Sequence, residues 1–168
     1  TGLLQETAQT LVKKLIPPYQ KDELVQALKL VSDRYLAEGI TSSADASTLT
    51  SIENEMAAWY EARQNGNLRV RTYLMMGPEI AANVRRLGIN GSFGDHMLKL
   101  GSVKMFSDGG VGGASAALTE PYAHRPDLKG ILYNTPEEFQ RMIKDAHDAG
   151  YQISIHAIGD LAIDIVIW

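Results

Sequence analysis

One unit recurs along this chain without close sequence repetition: an amphipathic helix, a glycine, then a strand. Between residues 21 and 38, Leu24, Ala27, Leu28, Val31 and Tyr35 fall on one helical face. Gly39 suits the end of that helix, and Ile40 to Asp45 reads as a short strand. Leu49 to about Arg63 is the next helix, Gly66 lies past its end, and Leu68 to Met75 is the following strand. Pro78 to Leu87 is a short helix closed by Gly88, and Val103 to Phe106 is strand again. Thr135-Pro136-Glu137-Glu138 is a capping box with proline at the first helical position. Phe139, Met142, Ile143 and Ala146 form the buried stripe of that helix, Gly150 ends it, and Tyr151 to His156 is the last strand. Ile158 onward starts another helix. Four strands alternating with helices predict parallel pairing and an α/β fold.

The last strand narrows the architecture. Tyr151, Ile153 and Ile155 share one face, and Gln152, Ser154 and His156 share the other. One greasy face against helices and one small polar face looking inward fit a partial TIM-type (β/α) barrel. On the earlier strand Val103 and Met105 face helices, while Lys104, Phe106 and Asp108 face inward. Active sites of such barrels lie at the C-terminal ends of the strands, where His156 and Asp108 fall, with Lys104 a little deeper.

Composition removes several classes of function. A length of 168 residues suffices for one domain with a core. The formal net charge is -4 with no basic run, which argues against a nucleic-acid partner. No apolar stretch is long enough to span a bilayer, so no membrane partner is expected. The start, Thr1-Gly2-Leu3-Leu4, lacks a signal-peptide pattern and an initiator Met, so the chain reads as processed or as cut from something longer. The absence of cysteine excludes disulfides, thiolate metal sites and cysteine nucleophiles, and is compatible with a reducing, cytoplasmic setting. Any metal ligand must then be His, Asp, Glu or a modified Lys.

Two strand ends carry the chemistry. Val103-Lys104-Met105-Phe106-Ser107-Asp108-Gly109 and Ile153-Ser154-Ile155-His156-Ala157-Ile158-Gly159-Asp160 each place an ionisable group on an apolar strand, followed by Asp and glycine. Burying such a group is costly unless something pairs with it. The plain alternatives are a lysine whose head snorkels to water and a hydrogen-bonded core histidine. Asp160 is equally suited to a helix cap, and Asp45 to a turn or to a hydrogen bond behind a site. Ser107 to about Asn134 reads as a long loop, and loops of that length are often functional. Its Gly109-Gly110-Val111-Gly112-Gly113 run lacks the P-loop ending and reads as a mobile lid. Gly-Ala-Ser-Ala-Ala around Ser115 is no nucleophile elbow. His96, His124 and His147 read as surface residues, and Tyr122 and Tyr133 as packing.

Lys104 to Gly109, Ala116-Ala117-Leu118, Pro121-Tyr122, Gly130 and His156-Ala157-Ile158-Gly159-Asp160 together resemble the amidohydrolase superfamily, and within it the YtcJ-like "amidohydrolase 3" group of metal-dependent hydrolases. Gly39-Ile40-Thr41-Ser42 with Asp45-Ala46 fits an earlier strand of the same family. The resemblance implies a TIM barrel with one or two divalent metals, often zinc. It implies that Lys104 stands for the carboxylated bridging lysine of strand four and His156 for the ligand of strand five. The strand count agrees, if the first visible strand is barrel strand two. Lys104 and His156 are thus candidate metal ligands, and Lys104 and Asp108 candidate catalytic residues. The chain departs from the family in having no His-x-His, Leu161 where arginine is usual, and Ala114-Ser115 where Arg-Thr is usual.

The expectation is a single domain over residues 1–168, equivalent to strands two to five of an amidohydrolase that cleaves an amide or N-formyl-type C–N bond in a small molecule. The competing expectation is an inert partial barrel whose open sheet edges drive homo-oligomer formation.

Overall fold

The computed structural model describes residues 2, 4, 6–48, 52–91 and 93–167. A 3-10 turn, Glu6–Gln9, leads into a one-turn helix α1, Thr10–Lys13. Then come α2 (Lys21–Ala37), β1 (Ser42–Thr48), α3 (Ile52–Gln64), β2 (Arg71–Met76) and α4 (Pro78–Arg86). They are followed by β3 (Phe93–Gly94), β4 (Leu98–Phe106), α5 (Pro136–Asp148), β5 (Ile153–His156) and α6 (Asp160–Ile167). The helix–glycine–strand unit holds. Gly39, Gly66, Gly88 and Gly150 follow their helices with φ of 79°, 76°, 78° and 80°. Each reverses the chain in the left-handed region that side chains disfavour. The part of the expected second helix at residues 49–51 lies outside the described residues.

The sheet runs β1-β2-β4-β3, with β5 also paired to β4. β1 with β2 and β2 with β4 are parallel. Val103 N–H donates to Gln152 O and Ser107 N–H to His156 O, so β5 advances in step with β4. Four parallel strands therefore match the expectation. The fifth strand does not: β3 is a two-residue antiparallel partner of β4, with Phe93 opposite Leu100 and Gly94 opposite Lys99. β4 also begins five residues earlier than its apolar alternation suggests. Its register against β2 slips between Leu74 and Met76, which puts Leu100 and then Val103 opposite them. The extra residue breaks the period of two. Gly101 sits in this stretch because the Tyr73 ring occupies the space a Cβ would need, 1.8 Å from it.

The chain divides into two compact units. The one holding residues 19–104 and 144–154 has its core at Val70, Leu74, Met76, Leu100 and Val103, all nearly inaccessible. Here α2 behaves differently from its pattern. Val25 and Ser32 are its buried residues, whereas the predicted stripe Leu24, Leu28, Val31 and Tyr35 lines a cavity of about 550 Å³ shared with Trp59 and Asp45. Asp45 is a strand residue opposite Leu74, not a turn residue. Tyr73 and Gln152 share a hydrogen bond of 2.9 Å, and the Ser102 and Ser154 hydroxyls one of 2.8 Å. These pairs confirm the small polar face of β5.

The other unit comprises residues 1–18, 105–143 and 155–168. The capping box of α5 closes as expected: Thr135 N–H donates to Glu138 Oε2 at 3.0 Å and Glu138 N–H to Thr135 Oγ1 at 3.2 Å. The segment after β4 is held largely by its own backbone. Ser115, Ala116 and Ala117 are buried, while Val111 to Gly113, Thr119 to Pro121 and Ala123 to Asp127 are exposed. Backbone bonds pin it, among them Leu118 N–H to Lys129 O, Ile131 N–H to Ser115 O and Tyr133 N–H to Ser107 O. A Cβ on Gly130 would meet Ala116 O at 1.9 Å, and one on Gly159 would meet Ala117 O at 1.7 Å. Two glycines thus clasp one dipeptide.

Candidate functional site

The C-terminal end of β5 is built around His156. Its carbonyl accepts two donors from Ser107, the backbone N–H at 2.9 Å and the hydroxyl at 2.6 Å. Its ring Nε2 lies 3.0 Å from the carbonyl oxygen of Gly109. A carbonyl can only accept, so Nε2 carries a proton, and in the neutral ring Nδ1 then keeps its lone pair. The Phe106 ring packs beside the imidazole, centroid to centroid 5.3 Å at 41°. The His156 side chain remains 28 % exposed, so the site is open to a ligand.

Asp108 lies beneath this ring with a side chain of 0 % exposure, its Oδ1 3.9 Å from His156 Nε2. Its oxygens are taken by peptide groups: Ile158 N–H donates to Oδ1 at 3.1 Å, and Gly159 and Ala117 N–H donate to Oδ2 at 2.8 and 2.9 Å. The carboxylate therefore ties the end of β4, the Ala116-Ala117 segment and the turn after β5 into one knot. A buried carboxylate is tolerable because three N–H dipoles face it.

Asp160 opens α6, but its carboxylate reaches outward. Thr119 donates to it through both its backbone N–H, at 3.1 Å, and its hydroxyl. These two bonds, hydroxyl first, hold its pKa below the ordinary carboxylate value. Ser115 exchanges hydrogen bonds with the Gly110 peptide, and Tyr122 donates to Ala116 O at 2.9 Å. Both serve packing. His96, His124 and His147 are exposed, as expected.

Lys104 belongs to the other compact unit. It stands half-buried on β4 between the buried Val103 and Met105. Desolvation lowers its amine pKa from the ordinary 10.5, so the neutral amine is more accessible than on a surface lysine.

Of the sequence-predicted residues, the structure brings Asp108 and His156 together. Gly109 and Ser107 were not singled out, because they act through a backbone carbonyl and through strand-end hydrogen bonds that leave no residue-type signature. The donor set is partial: His156 Nδ1 fits one ligand position, and among the described residues no three His, Asp or Glu side chains gather into a group that could hold a metal ion. A zinc site needs three or four ligands. Among the described residues no helix is long and apolar enough to cross a membrane.

The model of the amidohydrolase family matches residues 1–167. YtcJ of Bacillus subtilis (strain 168), whose name assigns it provisionally to the amidohydrolases, is 31 % identical over 99 % of the chain, which covers 31 % of that protein. Protein LONG AFTER FAR-RED 3 of Arabidopsis thaliana is 30 % identical over 99 % of the chain and 30 % of its own length. The chain thus spans about a third of the length of the curated relatives it matches. Among solved structures, uncharacterized metal-dependent hydrolases of Pyrococcus horikoshii OT3 and Pyrococcus furiosus superpose with TM-scores of 0.83 and 0.82 at 26 % and 25 % identity. Each match covers 97 % of the chain and 33 % or 34 % of the hydrolase, so the fold is a partial TIM-type barrel. The chain belongs to the amidohydrolase family.

Proposed function

We propose that the chain is the strand two-to-five portion of one barrel domain in a hydrolase of amide or N-formyl-type C–N bonds in a small molecule. The observation that carries this is the orientation of His156. Its Nε2 is spent on Gly109 O, which leaves Nδ1 as a donor at the mouth end of β5. Lys104 supports it from chemistry: a lysine with lowered basicity offers the neutral amine from which a carbamate forms. A divalent metal, zinc by its fit to nitrogen and oxygen donors, would supply Lewis acidity and an acidified water. The residues of this chain orient the donor at Nδ1, and Phe106 shields one side of it. Asp108 holds the segments around it. The missing donors come from elsewhere in the complete enzyme, in a setting the cysteine-free sequence leaves compatible with the cytoplasm.

The test is metal content by plasma mass spectrometry together with the coding sequence on both sides. A His-x-His before the chain and an aspartate after it support the reading, as does stoichiometric zinc on the chain itself. Neither motif and no metal overturn it.

A second reading, an inert partial barrel that associates, rests on the sheet edge. Among the described residues β1 pairs only with β2, and Leu11, Val12, Leu15 and Ile16 around α1 are exposed.

A further inference from the structure

We infer that Asp108 is a positioning residue that fixes the tautomer and direction of His156 through the Gly109 peptide. The inference rests on reading His156 as a donor through Nδ1. Three observations carry it. The Asp108 carboxylate is fully enclosed, and a basic side-chain nitrogen, His156 Nε2, lies 3.9 Å from its Oδ1. Both its oxygens are filled by the N–H groups of Ala117, Ile158 and Gly159, so it is anchored at three points. The next carbonyl along the chain, that of Gly109, receives the imidazole at 3.0 Å.

The chain of constraint is short. Anchoring Asp108 fixes where β4 ends and where the Gly109 carbonyl points. That carbonyl accepts a proton only from Nε2–H, so the Nδ1–H tautomer would place two lone pairs face to face. The nearby negative charge of Asp108 favours the same proton placement, since it attracts an N–H and repels a lone pair. A ring held this way presents Nδ1 at all times, and a donor group need not wait for a tautomer exchange.

The experiment is nitrogen-15 NMR of the imidazole in the metal-free chain, recorded across a pH series. In the unmodified chain His156 should give one protonated Nε2 and one unprotonated Nδ1. Couplings across hydrogen bonds should link the Ala117, Ile158 and Gly159 amides to the Asp108 carboxylate carbon. Asp108→Asn should drive the two ring nitrogens toward the averaged shifts of a free imidazole. Ser107→Ala, which loosens the same strand ends, should leave them apart. An Nδ1–H tautomer, or absent couplings, in the unmodified chain overturns the inference even if the Asn variant does not fold. A folded Asp108→Asn chain with unchanged ring shifts overturns it too. In the complete enzyme, which supplies the missing donors, added zinc that leaves Nδ1 unmoved would defeat the metal reading while the tautomer result stands.

Discussion

His156 Nε2 meets the carbonyl oxygen of Gly109 at 3.0 Å, across the gap between the ends of β5 and β4. This one bond converts an aromatic side chain on a strand into a directed donor. Everything around it serves rigidity: two Ser107 donors on the His156 carbonyl, the Phe106 ring at its side, and Asp108 behind.

Asp108→Ala should destabilise the fold more than any other polar truncation in this region. It leaves three enclosed N–H groups without an acceptor. Hydrogen bonds to a charged acceptor contribute about 1.5–3 kcal/mol each and are not additive, so a loss of at least about 3 kcal/mol is expected. Urea denaturation measures it, and a loss below about 1 kcal/mol would contradict the knot.

The glycines predict an ordered contrast. Gly159→Ala and Gly130→Ala drive a methyl into backbone carbonyls at 1.7 and 1.9 Å and should each cost about 2–4 kcal/mol. Gly110 has φ -123° and ψ 155°, with nothing within 4 Å of the added Cβ. Gly110→Ala should be neutral or stabilising by about 0.5 kcal/mol. Thermal melts of the three variants rank them.

Acid should weaken the chain over a defined range. Asp95 is held well below the ordinary carboxylate value of 3.8, first by Arg63 and then by the Leu98 and Met97 N–H groups. Asp33 is lowered by Lys29 and Arg69. A carboxylate with a depressed folded pKa contributes stability above its unfolded value, and that contribution is lost as pH falls through the folded one. The urea midpoint should therefore drop as pH falls below about 4, and Asp95→Asn should flatten the drop. An unchanged slope in Asp95→Asn would count against the Arg63–Asp95 anchor of the β3–β4 turn.

Lys104 runs with the opposite cost. Its folded pKa lies below 10.5 because burial disfavours the cation. Folding therefore releases protons between the two values, and stability should rise with pH up to the unfolded value. Lys104→Met should remove this contribution, so its stability should rise less, or fall more, than that of the parent chain as pH is raised from about 8 to about 10.5. Denaturant midpoints against pH decide this, and a Met variant with the parent's pH slope would contradict it.

The open edge of β1 predicts self-association as a dimer or higher oligomer. Size exclusion with light scattering should show more than 18.4 kDa, and a stable monomer would remove the second reading.

Where the sequence speaks through side-chain period and capping, it was legible. Thr135 and Glu138 announced their box, the glycines their helix ends, and Val103, Lys104 and Met105 their two faces. What was hidden acts through the backbone. The slip near Gly101 and the short β3 partner leave no alternation to read. The segment after β4 has no period, yet it is fixed by main-chain bonds and by glycines that accept a neighbour's carbonyl. Asp108 reads in the sequence as a candidate catalytic residue, and the peptide N–H groups that its oxygens face are not displayed by a sequence. The α2 stripe was correctly placed on one face, but that face lines a cavity.

The most direct test of the account is zinc titration of the complete enzyme, which supplies the remaining donors, followed by nitrogen-15 NMR of the His156 imidazole. The account predicts a large shift of Nδ1, with Nε2 keeping its proton and its bond to Gly109 O. A shift at Nε2 in place of Nδ1, or no shift at either nitrogen at saturating zinc, would contradict it.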